Sequence, residues 1–306
     1  MKILVATEKP FAAAAVNGIK EIAAASGHEV ALLEKYTEKE QLLAAVADAD
    51  AMIVRSDKVT AEVIAAAPKL KIVVRAGAGY DNLDLAACTE RGIVAMNTPG
   101  QNANAVAELA LALMIFMSRN QFNPGTGSEI SGKRLGIQAY GNVGRLVAEK
   151  AKALGLSVTA FDPFVPAERM QEDGVVPAES LEKMYSECDF ISLHIPATPQ
   201  TIASIGYDLI SRMPKGGCLL NTARKEVINE AELVKVLEDR PDIKYVADVA
   251  PACQQELSEK FGRQVFATPK KMGAETAEAN INAGIAAARQ IAAYFSTGCT
   301  KFQLNK

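Results

Sequence analysis

The segment Arg134–Gly155 reads RLGIQAYGNVGRLVAEKAKALG: an apolar strand pattern, a turn of small residues, then a helical pattern. The frame Ala139-x-Gly141-x-x-Gly144 fits a dinucleotide turn. Gly141 there lets backbone N–H groups approach a pyrophosphate at a helix N-terminus, and Gly144 lets helix and strand pack closely. Tyr140, Asn142 and Val143 complete the turn. Alanine stands where such a turn has its first glycine, which crowds it, and a glycine pattern alone equally fits plain turn packing. Asp162 adds the specificity. It lies 18 residues past Gly144, at the end of SVTAF. An acid there accepts from both ribose hydroxyls and repels a 2′-phosphate, so the pattern predicts NAD rather than NADP.

Proton chemistry is harder to place. Histidine is the commonest acid/base near neutral pH, yet the chain has only two, His28 and His194. His28, in SGHEV, reads as a solvated turn residue. An enzyme built on this chain must use His194 or another residue type.

Composition narrows the classes. At 306 residues, with 49% hydrophobic positions, the chain is long enough for two domains with real cores. Thirty-three basic and 36 acidic residues leave a net charge of −3, so no polycationic surface is expected to draw nucleic acid or an anionic membrane. Apolar runs such as Ala110–Met117 fall far short of the ~20 residues of a membrane span. The start, MKILVATEKP, enters a strand pattern without a signal-peptide layout. Five cysteines without a C-x-x-C pair read as reduced thiols, so a cytoplasmic protein is expected.

These residues need a scaffold, and the pattern supplies one. Short β-branched runs alternate with alanine-rich helical stretches, from Lys2–Ala6 (strand) and Ala12–Ala25 (helix) through to Ile93–Met96 (strand). The alternation restarts at Arg134 and closes on a long helix, Thr276–Phe295. Strands and helices in turn imply βαβ units and parallel sheets. The predicted fold class is α/β: two Rossmann-like or flavodoxin-like domains with a cleft between them. The first domain takes residues 1–97 plus 281–306, and the second takes 98–280. The helix Asn102–Arg119 carries more apolar surface than one buried face needs, which predicts a homodimer through the second domain.

Four more segments place polar residues where a buried strand ends: VRAGAGYDNLDL (Val74–Leu85), NTPGQNANAVAELAL (Asn97–Leu111), LLNTARKEVINE (Leu219–Glu230) and ATPKKMGAETAEAN (Ala267–Asn280). Open α/β sheets bind ligands beyond the carboxyl ends of their strands. With AYGNVG, FDP and SLHIPATPQT (Ser192–Thr201), these segments make the chain resemble the D-isomer-specific 2-hydroxyacid dehydrogenase family over nearly its whole length.

The resemblance implies roles. Arg224 in NTAR matches the family's substrate arginine, whose planar fork clamps the carboxylate and carbonyl of a 2-oxo acid. Ala76, Gly77, Ala78 and Gly79 form the loop that offers backbone N–H groups to the carboxylate. Arg55 and Ser56, with Asn102, match the place where members acting on phosphoglycerate hold the phosphate. Asp248 is expected to accept from the nicotinamide carboxamide region. His194, Pro196, Thr201, Thr222, Ala223, Gly273 and Ala274 fall at cofactor-contact positions, so His194 is not the acid/base.

The chain departs from the family at the proton-transfer site. The family's histidine lies in a segment written T-P-H-I-G-A, assisted by a glutamate five residues after the aspartate of D-V. Here the segment is TPKKMGA, and five past Asp248 stands Cys253. Counting back from Gly273 puts Lys271 at the histidine position; counting forward from Pro269 gives Lys270, otherwise a substrate-side residue. The two losses fit together. Lysine binds its proton about 4 units more tightly than imidazole, and a carboxylate partner would tighten it further. Burial beside Arg224 and a cationic ring would instead lower its pKa. The expectation is NAD-dependent oxidation of 3-phosphoglycerate with Lys271 as general base. A glyoxylate or hydroxypyruvate reductase, and an NAD-binding regulatory module without catalysis, are the alternative readings.

Overall fold

The computed structural model describes residues 1–306. The chain divides into two compact units, Met1–Asn102 with Glu275–Lys306, and Ala103–Ala274. Sequence pattern set the boundaries at residues 97/98 and 280/281. The loop 98–102 stays with the first unit through the Thr98 N–H to Gly77 O bond (3.0 Å), and Asn280 does so through Arg55 (2.5 Å).

The first unit runs β1 (Lys2–Thr7), α1 (Ala13–Ala25), β2 (Glu29–Glu34), α2 (Lys39–Val46), β3 (Ala51–Val54), α3 (Ala61–Ala65), β4 (Ile72–Arg75), α4 (Leu85–Glu90) and β5 (Val94–Asn97). Its five strands are all parallel, in the order β2-β1-β3-β4-β5, which is the flavodoxin-like arrangement. The sequences explain it. AMIV is buried throughout and IVVR all but its last residue, as strands covered on both faces must be.

The second unit follows: α5 (Ala103–Ser118), β6 (Arg134–Gln138), α6 (Asn142–Ala153), β7 (Ser157–Phe161), α7 (Ala167–Glu172), β8 (Val176–Pro177), α8 (Leu181–Glu187), β9 (Phe190–Leu193), α9 (Tyr207–Ile210), β10 (Cys218–Asn221), α10 (Glu230–Asp239), β11 (Lys244–Ala247), α11 (Gln254–Phe261) and β12 (Val265–Ala267). Its parallel strands lie in the order β12-β11-β10-β9-β6-β7-β8. The order reverses between β9 and β6, and such a switch point opens a crevice at the carboxyl ends of those strands.

The chain then returns to the first unit as α12 (Ala277–Thr297). Gly18 on α1 makes the close packing of α1 on α12 possible, since a Cβ there would lie 2.9 Å from Ile285 Cγ1. The C-terminal tail covers the open edge of β5. Leu304 N–H donates to Ala95 O (2.8 Å), and Asn305 bonds Ala95 N–H and Ile93 O, which protects an otherwise unpaired edge.

Three elements escape the sequence pattern. Strand β8 is two residues ending in proline, and α7 begins immediately after Pro166. Helix α11 (QQELSEKF) buries only Leu257 and so shows no apolar stripe. All five cysteines are unpaired. No helix is long and apolar enough to cross a membrane.

Candidate active site

Every candidate residue falls at the carboxyl end of a parallel strand, in the loop that follows it or, for Asn142–Gly144, in the first turn of the next helix, in two sets, one per unit. The second unit carries the turn after β6, Asp162 after β7, and His194, Pro196 and Thr201 after β9. Thr222, Ala223 and Arg224 follow β10, Asp248 follows β11, and Lys270 through Ala274 follow β12. The first unit carries Arg55 and Ser56 after β3, Ala76–Gly79 after β4, and Asn102 at the end of the loop after β5.

The β6–α6 turn has the features a dinucleotide phosphate needs. Gly141 precedes α6 without any capping side chain, so N–H groups of the first helical turn are open to an anion. A Cβ on Gly141 would meet nothing within 4 Å, whereas one on Gly144 would lie 2.3 Å from Ala139 O. Gly141 leaves room for a ligand, and Gly144 lets the helix meet the strand. Ala139 adopts φ +79°, the left-handed region that glycine normally fills. The crowding expected there is therefore absorbed as backbone strain.

Asp162 already organises this turn. Its Oδ2 accepts from Tyr140 N–H (2.8 Å) and its Oδ1 from Phe164 N–H (2.9 Å). A carboxylate has about four acceptor sites, so capacity is left for a ribose diol. Tyr140 itself is buried, its hydroxyl donating to Asp173 (3.1 Å).

His194 is half-buried, with Nε2 2.9 Å from Ser192 Oγ and Nδ1 3.4 Å from Thr222 Oγ1. Burial pushes its pKa down to about 4, so the ring is neutral at physiological pH. It binds the loop ends of β9 and β10 together. The rest of that loop is tied by Thr201, whose hydroxyl donates to Pro196 O (2.5 Å) and accepts from Thr198 N–H (2.8 Å).

Arg224 stands in a turn built by Asn221. Asn221 is buried; its Nδ2 donates to Arg224 O (2.9 Å) and its Oδ1 accepts from Ala223 N–H (3.0 Å). The half-buried Arg224 is thus held in extended backbone, and the one hydrogen bond of its guanidinium goes to a carbonyl, Ala223 O (2.9 Å).

Asp248 is almost fully buried, and its carboxylate grips the loop after β12. Oδ1 accepts from Met272 N–H (2.7 Å) and Oδ2 from Gly273 N–H (2.8 Å). Gly273 makes this approach possible, because a Cβ there would lie 2.8 Å from Oδ2. On the other flank, Thr268 Oγ1 lies 2.8 Å from Lys270 O and can donate to it. The two anchors bracket Lys271. Both Lys270 and Lys271 are exposed, as the hydration of an ammonium favours. Burial and the neighbouring Glu230 push the Cys253 thiol up to about 12. Cys253 therefore stays protonated and gives no substitute for the missing carboxylate.

In the first unit the Arg55 guanidinium has only neutral partners: Asn280 Oδ1 (2.5 Å), Lys9 O (3.2 Å), Pro10 O (3.4 Å) and the Phe11 ring (5.3 Å). Its charge is oriented but not neutralised, as an anion site requires. Ser56 beside it is exposed. Sequence reasoning missed the residues that hold this loop. Buried Asp57 accepts from Glu8 N–H (2.7 Å) and from the Tyr36 hydroxyl (2.8 Å). It also missed Arg75, whose Nε donates to Arg55 O (3.0 Å) and whose guanidinium lies against Gly77, where a Cβ would clash with it. Arg75 stands within the VRAG segment, but only proximity in space makes it a second cation beside Arg55.

Two parallel α/β units, one with an open dinucleotide turn at its switch point, define a nucleotide-dependent oxidoreductase fold. The chain matches the family model described as "D-isomer specific 2-hydroxyacid dehydrogenase, catalytic domain" over residues 5–305. It belongs to that family. It is similar to NAD+-bound 3-phosphoglycerate dehydrogenase in Entamoeba histolytica, at 49% identity and TM-score 0.89, covering 100% of this chain and 99% of that one. It is 38% identical over 271 residues to D-3-phosphoglycerate dehydrogenase of Mycobacterium bovis, covering 83% of this chain but 51% of the relative. It is also 36% identical over 277 residues to hydroxypyruvate reductase of Thermotoga maritima, covering 84% of this chain and 88% of that protein. The chain thus spans about half the length of the mycobacterial relative.

Proposed function

We propose that the protein is an NAD-dependent dehydrogenase that oxidises the 2-hydroxyl of 3-phosphoglycerate, with Lys271 as general acid/base. The observation that carries this reading is the anchored loop after β12. Asp248 and Thr268 fix the backbone on both sides of Lys271, at the place where the family carries its histidine. A base carried on an anchored backbone is easier to position, and proton transfer demands position before pKa.

The turn after β6 with Asp162 would hold the dinucleotide, and Asp248 would accept from its carboxamide. NAD+ held there would supply the hydride acceptor for the oxidation at C2. Lys271 removes the hydroxyl proton, and in the reverse direction its ammonium returns it. Arg224 clamps the carboxylate and the developing carbonyl, and Ala78 and Gly79 offer N–H groups to the carboxylate. Arg55, with Ser56 and Asn102, takes the phosphate. Its guanidinium, bonded only to neutral groups, favours this reading over hydroxypyruvate reduction, since a substrate without phosphate has no use for it.

Turnover of Lys271→Ala decides the mechanism. We expect kcat to fall by about 10²-fold or more with the NADH dissociation constant unchanged. Unchanged kcat moves the role to Lys270 or elsewhere. A preference for glycerate over 3-phosphoglycerate in the wild type shifts the substrate to the unphosphorylated acid, and absence of hydride transfer with every 2-hydroxy acid leaves a binding module.

A second copy of the chain covers the apolar groove of about 450 Å³ formed by Ala112, Ile115, Phe116, Phe122 and Phe266. Phe122 is 71% exposed there. Sedimentation of Phe122→Glu tests it: a dimeric wild type and a monomeric variant are expected. The protein acts in the cytoplasm, where its five thiols stay reduced.

A further inference from the structure

We infer that Asn97, supported by Gln290, is a positioning residue that aims the Ala78 and Gly79 N–H groups at the substrate carboxylate. This rests on the function proposed above. The argument begins with where the loop's carbonyls go. Gly77 O accepts from Thr98 N–H (3.0 Å), and Ala78 O accepts from Asn97 Nδ2 (2.6 Å). No peptide bond of the chain is cis. In a trans peptide the N–H points opposite to the C=O of the same unit. Pulling the Gly77 and Ala78 carbonyls down onto the end of β5 therefore turns the N–H groups of Ala78 and Gly79 the other way. Neither N–H has a hydrogen-bond partner within the chain. Two successive donors turned to one side make an anion-binding concavity.

The strap is itself braced. Gln290 on α12 donates from Nε2 to Asn97 O (3.0 Å), fixing the backbone from which the Asn97 amide reaches up. Its Oε1 is buried without a partner. An unpaired buried acceptor costs about 1–3 kcal/mol, and an apolar side chain of similar shape would avoid it. What Gln290 contributes is the donor. Gly77, at φ +154°, lets the chain make this reversal, and its missing Cβ leaves room for the Arg75 guanidinium. Asn97 is 8% exposed, lies beneath the loop, and acts on the substrate only through the peptide units it orients.

The test compares a ligand that has the carboxylate with one that lacks it. 3-Phosphoglycerate carries both carboxylate and phosphate, and glycerol 3-phosphate carries the phosphate alone. For Asn97→Ala, we expect KM for 3-phosphoglycerate to rise about tenfold, the loss of one modest hydrogen-bond increment. The inhibition constant of glycerol 3-phosphate and the NADH dissociation constant should stay within about twofold. Gln290→Met, which keeps the bulk and removes the donor, should raise KM about threefold and decides the matter if Asn97→Ala does not fold. A KM unchanged in folded variants overturns the inference. So does a parallel loss for both ligands, which marks a merely structural role. Wild-type protein that neither turns over nor binds 3-phosphoglycerate removes the proposed function and this inference with it.

Discussion

The turn after β6 and the loop after β4 do related work by different means. Both leave backbone N–H groups without a partner in the chain. In the first, the donors belong to a helix, and the hydrogen bonds of α6 hold them in place. In the second there is no helix: Thr98 N–H and the Asn97 side chain hold two loop carbonyls on the opposite side, and Gln290 of α12 braces Asn97 through its carbonyl. A helix end supports itself; a loop must be braced from outside. The turn is therefore sensitive to anything that separates α6 from β6, and the loop to loss of distant struts.

Packing at the turn gives the largest expected effect. Gly144→Val would drive a branched side chain into Ala139 O, which a Cβ alone already approaches to 2.3 Å. Overpacking of this kind costs about 1–3 kcal/mol, and displacement of the helix end should weaken NADH binding by about 100-fold. A fluorescence titration checks this, and a variant of native affinity would show that the turn does not depend on that contact. On the braced side, Asp57→Ala leaves the Tyr36 hydroxyl and Glu8 N–H without their acceptor. About 2 kcal/mol of stability should be lost, measured by urea unfolding, with the NADH dissociation constant unaltered.

Acid separates the two regions more gently. His194 titrates near 4 when folded and near 6.5 when unfolded. The unfolded chain then holds more protons between those values, so stability falls as pH drops through that window. The loss should amount to about 1–2 kcal/mol between pH 7 and pH 5, seen as lower amide protection factors, normalised to the slower intrinsic exchange in acid, in β9 and β10 but not in β4 or β5. An equal loss of protection in both sheets would assign the acid response to another group. The smallest effect is expected of Ala139→Gly. It relieves a left-handed alanine but loosens the unfolded chain by a similar amount. The net change in Tm should be slight and upward; a marked fall would mean that the strain is compensated elsewhere.

The same contrast explains what was legible in the sequence. The turn announces itself, because its glycines and Asp162 lie within one βαβ unit and each has a local reason. Strand and helix alternation likewise carried both sheets, missing only elements such as α11 that lack an apolar stripe. The braces did not show. Asn97 is 19 residues from the carbonyl it holds, and Gln290 is 193 from Asn97. No spacing rule connects them. Lys271 was placed by its distance from Gly273, and the Asp248 contacts supply a physical reason for that anchor. Those contacts could not be read beforehand, because Asp248 and Gly273 meet only when β11 and β12 pair.

The groove beside α5 has a thermal consequence. Its named walls are alanine, isoleucine and phenylalanine side chains, so covering it draws on water release rather than on directed polar bonds. That driving force weakens on cooling. An assembly closed over this face would be cold-labile, dissociating further near 0 °C than at 25 °C at the same concentration.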